Sequence, residues 1–293
     1  SCIDNAYDLS NVNTDDVTIG DEDSEYRLPL ATVYVSMSEL NEGGADIKTL
    51  FDEADIWLPS PLPGNAAYVD LRELQNTPET ITPLLDALID QMMDDDAKIT
   101  AVADLLAEKY LSTFLPLLPP NTDPADFKPV FIEAFRNMPM LHDRLSGEVK
   151  SLAGSYLTEL KVQDVTYDIG KIDIGGDVVD MLCENLDSEG TPNPKNTLHL
   201  YGSITSALPV SLRLVPYFSP TNVRFDVTVE PGKTNEIRET QLFESDLRQI
   251  IEGAEIILPV SLEKYYPGYD FTSDQQIVIT LRLIKRGGLK LNL

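Results

Sequence analysis

The sequence predicts an α+β protein, a mainly antiparallel β-sheet or sandwich carrying a helical subdomain inserted near the N-terminal half. Three observations carry that expectation. Val223, Phe225, Val227 and Val229 alternate with Arg224, Asp226 and Thr228, the period-two pattern of a strand with one face on a core. Between residues 76 and 160 the apolar spacing changes to the period of amphipathic helices, punctuated by prolines. From residue 161 the alternation resumes. The chain therefore divides into an acidic tether (1–26), a first strand and short helix packing with the sheet (27–75), the helical subdomain (76–160) and a β-rich domain (161–293).

Size and charge narrow the function classes. A chain of 293 residues, 42% of them hydrophobic, has ample material for a packed core. Its 49 acidic residues outnumber 22 basic ones, for a net charge of -27. Such a charge repels phosphate backbones, which argues against a nucleic-acid partner. No run approaches the roughly 20 apolar residues that a membrane-spanning helix needs. The two cysteines, Cys2 and Cys183, are too few for a disulfide framework. They pair with each other, or Cys183 is a buried apolar filler.

Cys2 follows the small residue Ser1, and every charged residue between it and Arg27 is acidic, a pattern expected of an extended, solvated spacer. Small residue, cysteine and acidic linker together resemble the processed start of a bacterial lipoprotein. The resemblance implies a diacylglyceryl group on the Cys2 thiol, with Ser1 the last lipobox position before it. The stretch YDLSNVNTDDVTIGDEDSEYRLPLATV and the closing LRLIKRGGLKLNL also resemble exported lipoproteins of gut Bacteroidota, a group without an assigned activity. The resemblance implies an outer-membrane lipoprotein of the bacterial cell envelope, held to the membrane by its lipid alone.

Taken in order, residues 28–37 alternate Ala31, Val33, Val35 and Met37 against Leu30, Thr32, Tyr34 and Ser36, a strand with its apolar side on odd numbers. Ile47, Leu50, Phe51 and Ala54 have helical spacing, and Trp57 follows in a run whose three prolines exclude regular structure. A helix stripe of Ile81, Leu84, Leu85, Leu88 and Met92 starts at Thr77-Pro78 or Thr82-Pro83. Asp96 is the expected cap of the next helix, with Ile99, Val102, Leu106 and Tyr110 inside. Asp123-Pro124 opens a third, lined by Phe127, Phe131, Phe135 and Met138, and residues 140–152 form a fourth. The Asp94–Asp96 triplet lacks the spacing and the turn glycine of a calcium loop and reads as a solvated turn.

In the β-rich part, Val165, Tyr167 and Ile169 share one parity and Ile172 and Ile174 the other, which implies a bend at Gly170. Residues 178–182 suit a short helix, and 187–196 form a turn-rich loop. Leu208, Val210, Leu212 and Leu214 predict a strand, with Ser219-Pro220-Thr221-Asn222 as the turn to the next. The motif LPVSL recurs at 208–212 and 258–262, suggesting a duplicated unit. Ser245 and Gly253 bracket a short helix. Residues 276–284 alternate again, and Gly287-Gly288 predicts a hairpin returning Leu289, Leu291 and Leu293 along that strand. Arg282, Lys285, Arg286 and Lys290 would then guard a sheet edge.

Catalytic signatures are absent. Only His142 and His199 are available as imidazole bases, and there is no G-x-S-x-G, H-E-x-x-H, C-x-x-C or phosphate-loop pattern. No catalytic residue, metal ligand or cofactor is assigned. The candidate recognition surface is aromatic: Tyr265, Tyr266, Tyr269 and Phe271 cluster around Pro267-Gly268, with Trp57 as a further ring. The expected role is non-catalytic binding or structure, with a protein or glycan as ligand. The alternatives are a carrier of a hydrophobic small molecule in a cavity lined by Phe127, Phe131, Phe135 and Met138, and a carbohydrate-binding or carbohydrate-processing protein.

Overall fold

The computed structural model describes residues 18–41 and 46–290, which fall into two compact units. Cys2 and most of the acidic tether lie outside the described residues. Its last part is folded, because a turn at Asp21–Ser24 brings Tyr26 back to donate its hydroxyl to Ile19 O at 3.0 Å. Elements are numbered along the chain.

The first unit comprises the described parts of Ser1–Gly43, Gln163–Ser261 and Thr272–Leu293. Its main sheet runs β2 (Glu25–Ser36), β12 (Gln276–Arg286), β5 (Thr197–Ser206) and β9 (Thr234–Leu242), every neighbour antiparallel. The chain is α+β with antiparallel sheets, as its patterning predicts. In β2 the parity changes once: Leu281 faces Ala31 while Arg282 faces Pro29, so Leu30 is an extra residue. Leu30 is therefore buried with Val33, Val35 and Met37, although a single alternation would put it outside. Gly202 in β5 is tightly placed, since a Cβ there would stand 1.8 Å from Thr280 O.

The expected C-terminal hairpin does not form along β12. Both ladder edges of β12 are occupied by β2 and β5, leaving no free side for a returning strand. Gly287, at φ +90°, turns the chain away and donates its N–H to Ser24 O at 2.9 Å. Leu289–Lys290 (β13) then pairs with Thr18–Ile19 (β1). Arg282, Lys285 and Arg286 accordingly lie on an inner strand and guard no edge, and Lys285 is fully buried.

Smaller pairings complete the unit. Val210–Leu214 (β6) pairs with Val227–Val229 (β8), and Glu255–Leu258 (β10) lies between Val165–Asp168 (β4) and Tyr217–Ser219 (β7). The parity switch at Gly170 ends β4, so Ile172 and Ile174 continue no strand; Ile172 N–H instead donates to Ile251 O at 2.9 Å. Thr221 closes the turn after β7, its Oγ1 donating to Phe218 O and accepting from Val223 N–H. The two LPVSL copies each run through a proline into a strand, β6 and β11 (Val260–Tyr265), and these are neighbours in one four-stranded sheet, whereas the strands before them differ. The strand before the first is β5, between β12 and β9, and the strand before the second is β10.

Three helices belong here: Met37–Leu40 (α1), Gly176–Cys183 (α9) and Glu244–Gly253 (α10). Ser245 lies inside α10 and does not cap it; the Asp246 carboxylate accepts from Phe243 N–H at 3.0 Å instead.

The second unit spans the described parts of Gly44–Val162 together with Leu262–Phe271. It holds Ile47–Trp57 (α2), Leu71–Asn76 (α3), Thr82–Asp94 (α4), Asp96–Lys109 (α5), Leu111–Phe114 (α6), Phe127–Asn137 (α7) and Pro139–Thr158 (α8). Both proline starts of α4 are used, Pro78 opening a 3-10 turn and Pro83 the α-helix. The cap of α5 is Asp95 rather than Asp96; its Oδ1 accepts from Ala97 and Lys98 N–H. α2 was expected beside the sheet, yet it packs among helices because its apolar face is aromatic. Phe51 stacks 4.8 Å from Phe271 and 4.6 Å from Tyr265. Those two rings arrive on the 262–271 segment, where Lys264 and Tyr265 of β11 (Val260–Tyr265) pair with Asp70 and Val69 of β3 (Val69–Asp70). Phe127, Phe131 and Phe135 stack successively at 5.8 Å and are fully buried, so they fill the space a carrier cavity would need. Met138 points outward.

Candidate functional site

The aromatic candidates separate into core and surface. Trp57, Tyr265 and Phe271 are buried and form no recognition surface. The reason is polar as well as apolar: Trp57 Nε1–H donates to Glu53 at 3.3 Å and Tyr265 hydroxyl donates to Asp55 at 2.5 Å, so each ring is held inside by its own donor. Tyr269 is 68% exposed. Tyr266 is half-buried and lies 5.5 Å from Tyr68, a ring the sequence reading missed. Lys264 Nζ stands 4.8 Å over Tyr68, and a shallow apolar hollow of about 200 Å³ opens beside that ring.

A larger and more polar concavity, a trough of about 730 Å³, lies in the first unit. Its origin is topological. β8 and β9 are consecutive strands joined by residues 230–233, yet β8 pairs with β6 and β9 with β5, so the two arms part. The closed end is fixed. Gly232 at φ +68° donates to Ser206 O at 2.9 Å, and Asn235 Nδ2–H donates to Lys233 O at 3.0 Å and to Ile204 O at 3.3 Å. Arg224, Asp226 and Thr228 line the trough from the strand leading through β8, and Thr234, Glu236 and Arg238 from β9. The first three are the exposed parity of the alternating stretch whose other parity, Phe225, Val227 and Val229, is buried.

β9 is irregular at the trough. Leu200 faces Thr240 and Gly202 faces Ile237, so Arg238 and Glu239 together oppose the single Tyr201. Arg238 keeps the parity of Thr234 and Glu236, and the bulge shifts the phase of the strand from Glu239 onward. Glu239 is taken by Arg286 in a two-pronged pair at 2.6 and 2.7 Å, and the guanidinium holds its carboxyl below the usual range. Arg238 is left facing solvent.

The ion pairs around the trough are uneven. Arg27, Arg213, Arg248 and Arg286 of this unit each pair with a carboxylate. Arg213 reaches Asp226 through Nε at 3.0 Å, which neutralises that wall carboxylate. Arg224, Arg238 and Arg282 have no ion pair among the described residues, although acids outnumber bases more than twofold in the sequence, and the first two line the trough. Glu236 likewise has no ion pair among the described residues.

The remaining titratable groups serve the fold. His142 Nδ1 lies 2.7 Å from Phe135 O, with its ring edge on Phe135. His199 is half-buried beside Arg286, and burial lowers its affinity for a proton. Lys285 Nζ donates to Arg286 O at 2.8 Å and Gly288 O at 3.2 Å; burial pulls its pKa to about 8 and pushes the Cys183 thiol up to about 11. Cys183 is buried and forms no disulfide among the described residues. Of the aspartate triplet, Asp95 caps α5 and Asp96 pairs with Arg136. No helix among the described residues is long and apolar enough to cross a membrane.

No family model and no curated protein matches the sequence. A solved structure described as a "putative secreted protein" from Parabacteroides distasonis is similar at 18% identity and a TM-score of 0.31, over 43% of this chain. The chain spans 38% of that protein's length, and the likeness establishes neither a family nor a shared fold.

Proposed function

We propose that this chain is the body of an exported, lipid-anchored envelope protein with a non-catalytic binding role, its hydrophilic ligand lying in the trough between β8 and β9. One observation carries the reading. Arg224 and Arg238, neither with an ion pair among the described residues, line the same concavity from two different strands. Two such guanidiniums at one hollow keep their donors for a molecule from outside. The anchor rests on the Ser1-Cys2 start and its acidic spacer. A hydrophobic cargo is disfavoured by the stacked phenylalanines of α7 and by the charged side chains on the trough walls.

The trough is tested by obstruction. Thr234→Trp places a large ring in it from an exposed strand position. Glycan and peptide arrays probed with the full chain and with this variant should differ in a common set of hydrophilic ligands. Identical binding profiles would reject the trough as the site. Mass spectrometry of the native N-terminus tests the anchor separately, and an unmodified Cys2 in envelope extracts would reject it.

A further inference from the structure

We infer that the trough selects an acidic polysaccharide, a chain of hydroxyl-rich sugar rings bearing carboxylates, and this rests on the trough being the binding site. Arg224 and Arg238 offer planar donor forks that fit carboxylates. Of the two lining carboxylates, Asp226 is neutralised by Arg213, so the two guanidiniums face only Glu236 as an uncompensated negative charge on the walls. The other polar groups suit sugar hydroxyls. Thr228 and Thr234 both donate and accept, and Glu236, with no ion pair among the described residues, accepts.

An acidic peptide fits less well. Phe225 and Val227 reach the trough floor but are only 6% and 7% exposed, too little apolar surface to seat the alternate side chains of a peptide. The net charge of -27 opposes any polyanion at long range. That field is screened beyond about 8 Å at physiological salt, so recognition is a contact property of the two guanidiniums.

The test is titration calorimetry of the full chain with three probes: polygalacturonate as acidic polysaccharide, dextran as neutral polysaccharide and poly-L-glutamate as acidic peptide. Polygalacturonate should bind at physiological salt, dextran should not, and poly-L-glutamate should bind at least tenfold more weakly. Removing both guanidiniums in the double variant R224A/R238A should weaken polygalacturonate by roughly a hundredfold, about tenfold for each charged contact. Arg144→Ala, which removes an exposed arginine of the other unit, should change nothing. Equal affinity for polygalacturonate and poly-L-glutamate would overturn the sugar assignment. Polygalacturonate binding unaltered in R224A/R238A, or none by the native chain, would overturn the inference. Dextran binding abolished by Thr234→Trp would also overturn it while leaving the trough standing as a site for neutral sugars.

Discussion

Two groups of charged side chains, one in each unit, are used in opposite ways. Around α2, Glu53 is almost wholly buried and accepts from Trp57 Nε1, Lys109 Nζ at 2.7 Å and Tyr110 hydroxyl at 2.6 Å. Lys98 closes the end of the same helix, donating to Asp55 O at 3.0 Å and Leu58 O at 2.6 Å. In the trough, Arg224 and Arg238 are exposed and face no carboxylate partner among the described residues. The interior charges are committed to the fold, since a buried charge without partners is costly. The trough charges are uncommitted, so their removal should be felt by a ligand and not by the fold.

The contrast is testable in order of expected effect. The single Trp57 is buried, so its fluorescence reports the unfolding of the second unit. Phe51→Ala, which opens the stack with Tyr265 and Phe271, should cost about 3–5 kcal/mol in urea denaturation followed by that signal. Glu53→Ala strands the Trp57 and Tyr110 donors and should cost about 3 kcal/mol, less than a fully enclosed pair because Lys109 can turn to water. A loss below about 1 kcal/mol would show that these charges are not committed as described.

The pH dependence is a finer probe. Burial pulls Lys98 from 10.5 to about 8 in the folded state. Between those values the unfolded chain holds the proton more tightly, so stability contributed by this group rises as pH climbs from 8 toward 10. Tyr110, Tyr156 and Tyr265, all raised by burial, act in the other direction only above their ordinary value of 10. Urea midpoints read from Trp57 should therefore increase from pH 8 to 9.5, and Lys98→Met should flatten that rise. A midpoint that falls over this range would contradict the burial of Lys98. Smallest of all, Arg224→Ala and Arg238→Ala should each shift first-unit stability by no more than about 0.5 kcal/mol in circular dichroism melts. A loss several times larger would mean that the two arginines support the fold after all.

What could be read from the amino acids follows from how each element buries itself. The alternation at 223–229 survives intact, because one parity is buried and the other exposed. The helices are legible for the same reason, with errors of one residue at caps such as Asp95, where consecutive aspartates offer equivalent oxygens. β9 was not legible. Ile237 is buried at an odd position and Leu242 at an even one, the phase being broken by the bulge at Arg238–Glu239. That broken phase hid the strand, and with it the wall of the trough that carries Arg238. The aromatic cluster misled in the other direction. Composition marks Trp57, Tyr265 and Phe271 as sticky rings, but only the positions of Glu53, Asp55 and Phe51 reveal that their partners are internal.

The central place of β12 has a consequence for how the first unit comes into being. Glu25 and Arg286, which meet at one end of the β2–β12 ladder, are 261 residues apart along the chain. Until that distant strand arrives, β2 and β5 have no common neighbour, and each remains a ribbon with open hydrogen-bonding edges and greasy side chains in water. Closure across so long a separation is slow. Nascent or truncated forms ending before residue 276 would be the species most prone to clump, and a chaperone that shields β2 would be protecting the half of the sheet that waits longest.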